Sequence, residues 1–418
     1  MPEEIKPKEA LKGRAILCML KTNVHDHKVY RVRLDELRNL VVALGVEVVG
    51  ETVQTRYRPF ERYCIGKGKV GEIRKLAEKR DVQLVVFYNL LKSSQKLSLI
   101  QGTGCDVIDR YELTLEIFDQ MASDNLSKLQ IESARLEKLA PFYKLATNIH
   151  FTHDRPFFHS GGEYAFRGQL REISRRQADI REDINRLMGE KKRQIENRLK
   201  LNYPTICIAG YYNAGKTSLF NALTGEHKPV SKRPFTTLSS KYQKRYIDSE
   251  TTVLFIDTIG FVLDLDHRLI KSFQINFEDI RSADVVILLF DINDPPLTLT
   301  LKLGEGISLL RDIGVSMNRI IIVFNKIDKA PPETVTIIEE QLGLSHYDIP
   351  WIAISAEKRI NLNGLLELIA WKIRELKNNP PTSTEIIDIQ KPLQEPEDPE
   401  KIVGDSDIED DQAEEDEG

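Results

Sequence analysis

One run constrains this chain more than any other: TICIAGYYNAGKTSLFNALTG, residues 205–225. A short apolar stretch ends at Gly210, a glycine-containing loop follows, and a helical pattern starts near Lys216. The spacing G-x-x-x-x-G-K-[ST] between a strand and a helix wraps phosphates. Gly210 and Gly215 let the backbone turn its N–H groups toward an anion, and the helix adds its positive end. Lys216 is placed to reach terminal phosphate oxygens, and Thr217 to offer a hydroxyl to Mg²⁺. Tyr211, Tyr212, Asn213, Ala214 and Ser218 complete the expected cradle.

The runs around it are of one kind. TICIAG, TVLFID, DVVILLFDI, RIIIVFNK and IPWIAIS are short, nearly continuous apolar stretches, each followed by a loop or helix pattern. Strands buried on both faces of a parallel sheet read this way. Three carry further chemistry at their ends. In LFIDTIGF, Asp257 is expected to hold Mg²⁺ through water, and Thr258, Ile259 and Gly260 to follow the γ-phosphate, with the Gly260 N–H touching it. Between the two phosphate motifs, RPFTTLSSK offers a threonine that can close over the metal, Thr237 first and Thr236 second. In NKID, the Asp328 carboxylate can accept both N1–H and the exocyclic amine of guanine, whereas the N1 acceptor of adenine would repel it. Asn325 would tie the base loop to the phosphate loop, the stem of Lys326 would cover the base, and Ser355 and Ala356 of ISA would offer N–H groups to guanine O6. In this order the motifs imply binding of GTP and GDP and hydrolysis of GTP, with Lys216, Thr237 and Gly260 as catalytic candidates.

The remainder divides by pattern. Residues 14–124 alternate apolar runs with helical patterns and predict a small parallel α/β domain. The segments expected there are strands RAILCML, VEVVGETV, VQLVVFYN and CDVIDRYEL and helices LDELRNLVVALG, VGEIRKLAEKR and LKSSQKLSLIQGTG. Over residues 125–200, Leu129, Leu136 and Ala140, then Ile173, Ile180, Ile184 and Leu187, recur at heptad-like spacing and predict two antiparallel helices. The arginine-rich second helix is read as a solvated face laced with i,i+4 pairs or as an RNA contact. The loop HDRPFFHSGGEYAFRG could stack on RNA. A nucleotide-binding domain is expected over 201–378 and an acidic disordered tail over 379–418.

The charge distribution suggests either a polyanionic partner such as RNA, with which an acidic tail competes, or a tail that only aids solubility. The chain carries −5 overall, while residues 381–418 hold 15 acidic and 2 basic residues, leaving about +8 on the body. The scattered cysteines Cys18, Cys64, Cys105 and Cys207 form neither a disulfide framework nor a metal spacing. His153, His159 and His267 are read as surface residues. No apolar stretch could span a bilayer and no secretion signal opens the chain, so a cytoplasmic monomer is expected.

The ordered segments GYYNAGKTSLFNALTG, PFTTLSS, DTIGFV, FDINDP, NKID and ISA resemble the translation-linked GTPases that include Era, Obg and HflX. Upstream, RYRPFERYCIGKGKVGEI, DVIDRYELTLEIF and KLQIESARLEKL are similar to the N-terminal domain of the HflX family, and RGQLREISRR to its second linker helix. That resemblance implies a ribosome-associated GTPase that binds the large subunit and its RNA and helps split or rescue ribosomes. It departs in HSGGEYAFRGQLRE, where bacterial members carry a longer glycine run, and in the acidic tail; the divergence fits an archaeal-type member. The resemblance also includes an apolar residue, Phe261, where signalling GTPases carry the glutamine that orients water. Related GTPases use an asparagine at the position of Asn213 to hold K⁺, so K⁺-stimulated turnover is expected. Two rivals remain at this level. A GTP-dependent switch in RNA or protein assembly would use the same motifs, and GKGKVG (66–71) formally matches the dinucleotide fingerprint, though the short preceding RYCI and the lack of a strand-end acid argue against it.

Overall fold

Apolar strands without alternation need cover on both faces, and helices provide it. The computed structural model describes residues 13–22, 24–122, 124–153, 162–200, 203–225, 241–247, 251–258, 260–344 and 348–378. The expectations for the acidic tail, for residues 154–161 with His159, and for Thr236, Thr237 and Ile259 lie outside that set.

The first half runs β1 (Arg14–Lys21), α1 (Val24–Ala43), β2 (Glu47–Thr55), α2 (Lys67–Arg80), β3 (Leu84–Phe87), α3 (Ser93–Thr103), β4 (Asp106–Asp109) and α4 (Arg110–Met121). Its four strands are parallel in the order β2-β1-β3-β4. Ala15 to Leu20 of β1 are all buried, which accounts for the unbroken apolar run. Ile16, Cys18 and Leu20 pack with Val85, Phe87, Ile73 and Leu99 in one core. Full burial of each aliphatic chain contributes about 1.5–3 kcal/mol. A bulge sets Val49 out of register between Ala15 and Ile16, and the Arg80 guanidinium takes the Val49 carbonyl.

One expectation is corrected here, and one rival reading loses its support. DVIDRYEL is not one strand: β4 stops at Asp109 and α4 begins with Arg110. Asp109 accepts from the Glu112 N–H at 3.0 Å, and Glu112 accepts from the Asp109 N–H at 3.3 Å. That reciprocal cap satisfies two orphan donors of the helix and outweighs the strand preference of Tyr111. GKGKVG opens α2, but β2 ends at Thr55 and residues 56–65 intervene, so no strand leads directly into it. Gly68 and Gly71 face open space, without the close approach a dinucleotide loop requires.

Helices α5 (Asn125–His153) and α6 (Gly162–Leu199) pack on each other. Leu136, Ile173 and Ile180 are buried between them, with Leu129, Ala140 and Ile184 alongside; Leu187 is half-buried outside that cluster. Arg176 grips Glu132 with two nitrogens at 2.8 and 3.0 Å.

The second half runs β5 (Thr205–Gly210), α7 (Lys216–Thr224), β6 (Lys241–Tyr246), β7 (Thr252–Asp257), α8 (His267–Ser272), α9 (Gln274–Arg281), β8 (Val285–Asp291), α10 (Pro296–Ile313), β9 (Ile320–Asn325), α11 (Thr334–Leu342), β10 (Trp351–Ala353) and α12 (Leu362–Asn378). The sheet order is β10-β9-β8-β5-β7-β6, with β6 antiparallel to β7 and the other pairs parallel. Ile206, Ile208, Phe255 and Leu289 share a core with Leu365 and Ile369 of α12. The four cysteines are buried, and they form no disulfide with one another. Among the described residues no helix is long and apolar enough to cross a membrane, and no acid, histidine and cysteine cluster forms a metal site.

Candidate nucleotide site

The phosphate loop lies where the sheet demands glycine. Gly210 closes β5 at φ +137°, and a Cβ there would stand 2.3 Å from the Leu289 carbonyl oxygen. Gly215 starts α7 at φ +97°, and a Cβ would strike the Asn325 amide at 2.3 Å. Asn213 forms the exposed tip at φ +60°, a region asparagine tolerates.

Lys216 curls back into this loop. Its ammonium donates to the Gly210 carbonyl at 3.1 Å and the Tyr211 carbonyl at 2.8 Å. Burial pushes its pKa down to about 8, against the pull of the nearby Asp257 carboxylate. A buried cation with only carbonyl partners is better satisfied by an anion, and a polyphosphate supplies one. Thr217 Oγ1 lies 3.0 Å from Asp257 Oδ2, both buried. Ser218 follows on the first turn of α7. The Thr258 hydroxyl donates to the Ile208 carbonyl at 2.9 Å, and Gly260 is buried beside it.

Phe261 is a core residue. Its N–H donates to the Gly210 carbonyl at 2.9 Å, and its carbonyl accepts from the Tyr212 N–H at 3.1 Å. Its buried ring meets the Tyr211 ring edge-on at 6.1 Å. The residue at the glutamine position therefore fastens the DTIGF segment to the phosphate loop through its backbone.

Asn325 joins three loops. Its amide donates to the Ala214 carbonyl at 2.8 Å and accepts from the Ala356 N–H at 2.9 Å. Ser355 Oγ donates to Asp328 Oδ1 at 2.6 Å, and the Ser355 N–H donates to the Ile360 carbonyl at 3.1 Å. The N–H groups expected to face guanine O6 are thus engaged within the protein, and Ser355 and Ala356 brace Asp328 and Asn325. Lys326, at φ +71°, ties its ammonium to Asp291 at 2.7 Å, which fixes its stem.

A second set of residues was not visible in the sequence. Leu263 and Asp264, just beyond DTIGF, are held by the first half of the chain. Glu36 of α1 accepts from the Leu263 N–H at 2.8 Å and pairs with Arg110 at 3.0 Å. Arg110 also donates to the Leu263 carbonyl. Asp264, at φ +45°, pairs with Arg33 at 2.9 Å and accepts from the Tyr88 hydroxyl. Arg110 lies over the Tyr88 ring at 4.5 Å. Helix α1 also reaches the phosphate loop, where Asn39 hydrogen-bonds Tyr212 beside a cavity of about 330 Å³. On another side, Lys191 of α6 donates to the Tyr242 hydroxyl at 3.1 Å, and that hydroxyl donates to buried Asp279 at 2.6 Å. Local pattern could not find these contacts, because Glu36 and Arg110 sit in stretches that read as ordinary helix and strand.

The chain is similar to known proteins over most of its length. Residues 31–119 match the family model described as GTP-binding GTPase N-terminal, and residues 205–326 match the one described as 50S ribosome-binding GTPase. GTPase HflX of Thermofilum pendens is 37% identical over 342 residues, covering 82% of this chain and 80% of the relative. GTPase HflX of Thermococcus kodakarensis is 30% identical over 340 residues, covering 81% and 74%. A crystal structure of SsGBP with GDP aligns over 88% of this chain and 99% of its own at 24% identity, with a TM-score of 0.49. With both halves matched in chain order and relatives similar over most of their length, the chain belongs to the HflX family of GTPases.

Proposed function

We propose that this GTPase associates with the large ribosomal subunit and uses GTP binding and hydrolysis to time that association, in splitting or rescuing ribosomes. The observation that carries the reading is the grip of Glu36, Arg110, Tyr88 and Arg33 on Leu263 and Asp264. These residues directly follow the segment that responds to the γ-phosphate in GTPases, so a change there is passed to the N-terminal half. The family description of a 50S ribosome-binding GTPase and the basic body of the chain support the choice of partner.

In the nucleotide site, Gly210 to Ser218 wrap the phosphates, Lys216 leaves its carbonyl partners for the β/γ oxygens, and Asp328 selects guanine. The Gly260 N–H meets the γ-phosphate. Thr217 and Asp257 present only hard oxygens, 3.0 Å apart, a donor set that fits Mg²⁺. They would hold it, with Thr237 as a third ligand, and the ion would neutralise charge building on the phosphates. Asn213, exposed at the loop tip, would hold K⁺ in place of an arginine finger; equal turnover in K⁺ and Na⁺ would remove that role. With Phe261 in the core, hydrolysis is slow until a partner completes the site. The protein works as a cytoplasmic monomer.

Co-sedimentation with purified large subunits tests the reading. Binding should be strong with a non-hydrolysable GTP analogue and weak with GDP. Absence of binding in both states would overturn it.

A further inference from the structure

The loop from Arg56 to Gly66, between β2 and α2, takes no part in the nucleotide site or in the grip on Leu263. It carries an unusual surface. Tyr57 is 86% exposed and Phe60 39% exposed. Each aromatic ring has a guanidinium beside it: Arg58 lies 5.8 Å from the Tyr57 ring, Arg56 5.5 Å from Phe60 and Arg62 5.1 Å from Tyr63. Phe60 and Tyr63 lie nearly parallel, 6° apart in plane. Residues 56–69 contain five basic side chains and one acidic.

The loop is also built to keep its shape. Phe60 and Cys64 exchange two backbone hydrogen bonds at 2.8 and 2.7 Å. Cys64 is buried at φ +64°, a conformation that needs such a brace in a non-glycine residue. Gln95 of α3 donates to the Phe60 carbonyl at 3.0 Å, and the Gln54 side chain accepts from the Gly66 N–H at 2.8 Å. These bonds fix the backbone around Phe60, and a Tyr57 ring 86% exposed gains little from packing within the fold, so its face is open to a partner.

We infer that residues 56–69 form a docking surface for unpaired RNA bases, with Tyr57 and Phe60 as stacking platforms and Arg58, Arg62 and Lys67 meeting the phosphates. Every base has a face that can stack on an aromatic ring or an arginine plane, and the basic balance complements the backbone. The carboxylates of an acidic protein partner would use the charge but offer no flat face to stack on the Tyr57 ring, as a base does. The inference rests on the ribosome reading and specifies where the N-terminal half touches RNA.

The test uses the full chain and two probes, a fluorescent single-stranded oligoadenylate and inorganic polyphosphate, which carries charge without bases. Tyr57→Ala should weaken oligoadenylate binding roughly tenfold and leave polyphosphate binding unchanged, with an unaltered melting temperature. Arg58→Ala or Arg62→Ala should lower the slope of log K against log salt by about 0.7 each. Equal loss of both probes on Tyr57→Ala, or no loss of either, overturns the stacking surface. Co-sedimentation with large subunits separates the two levels. If the unaltered protein binds subunits and Tyr57→Ala binds as well as it does, this surface is wrong while the ribosome reading stands. If the unaltered protein binds none, the ribosome reading itself fails.

Discussion

At the carboxyl end of β5 a glycine loop folds over a buried lysine. At the carboxyl ends of β3 and β4, Tyr88 and Arg110 close instead on the backbone of Leu263 and on Asp264. The smaller sheet is parallel and the larger one parallel apart from its edge strand β6; both are helix-covered, and both present strand ends to a ligand, as open α/β sheets do. The residues at those ends decide what is held. In the larger sheet Gly210 and Gly215 let the loop pass close to the Leu289 backbone and the Asn325 amide. The smaller sheet offers a carboxylate, a guanidinium and a phenol, which fit a peptide segment. In effect the smaller sheet takes a piece of the larger one as its ligand.

The largest effect expected from this contrast is on chemistry. Lys216→Met should lower GTP hydrolysis at least 10²-fold, the scale of losing one charge-stabilising group. It should not lower thermal stability, because burial disfavours the charged ammonium more than the nearby Asp257 carboxylate favours it. Kinetics and a melting curve check both parts. A substitution that melted the protein while sparing turnover would erase the distinction between the sheets.

Arg110→Ala should do the opposite. It leaves Glu36, 5% exposed, without its cationic partner at 3.0 Å. Breaking a buried pair on one side costs about 3–5 kcal/mol, and replacing both Glu36 and Arg110 with Met should recover part of it. Chemical denaturation of the single and double variants measures this. If the single substitution cost no stability, Leu263 and Asp264 would not be held by this edge of the smaller sheet.

A smaller effect concerns pH. The free-site Lys216 has a pKa of about 8, and a bound triphosphate favours its charged form. Binding therefore raises this pKa and takes up a proton once the free lysine is neutral. Affinity for GTP should be flat below about pH 7 and fall above about 8, approaching tenfold per unit for one proton. Calorimetry in buffers of different ionisation heat reads the uptake directly. Proton release on binding would contradict the sign.

The contrast also explains what the sequence could reveal. Phosphate wrapping and guanine selection would need particular residue types at short spacing, so Gly210 to Thr217, Asp257 and Asn325 to Asp328 could be singled out as candidates. The grip on Leu263 uses an ordinary glutamate, arginine and tyrosine from three separate segments, joined only by the fold. Helix α4 was hidden by the β-branched run before it, although Asp109 and Glu112 spell a cap. Phe261 was legible as an absent glutamine but not as a core residue, because its backbone bonds to Gly210 and Tyr212 depend on how β5 and β7 pair.

The smallest expected effect lies at the seam between the two regions. Glu305 of α10 accepts from the Asp264 N–H at 2.6 Å. Burial first, and the Asp264 carboxylate second, push its pKa up to about 7. An acid whose folded pKa is raised binds a proton more tightly in the native state. Its contribution therefore falls as pH rises from about 4.5, the unfolded value, and the loss is complete above about 7. Glu305→Gln keeps an acceptor for the Asp264 N–H and removes the charge. The variant should match the parent near pH 4, exceed it in stability at pH 8, and show a flatter profile between. Denaturation midpoints across that range decide it. A variant less stable than the parent at pH 8 would mean that the ionised carboxylate strengthens the seam, and that the cluster around Asp264 tolerates more negative charge than Arg33 and Arg110 balance.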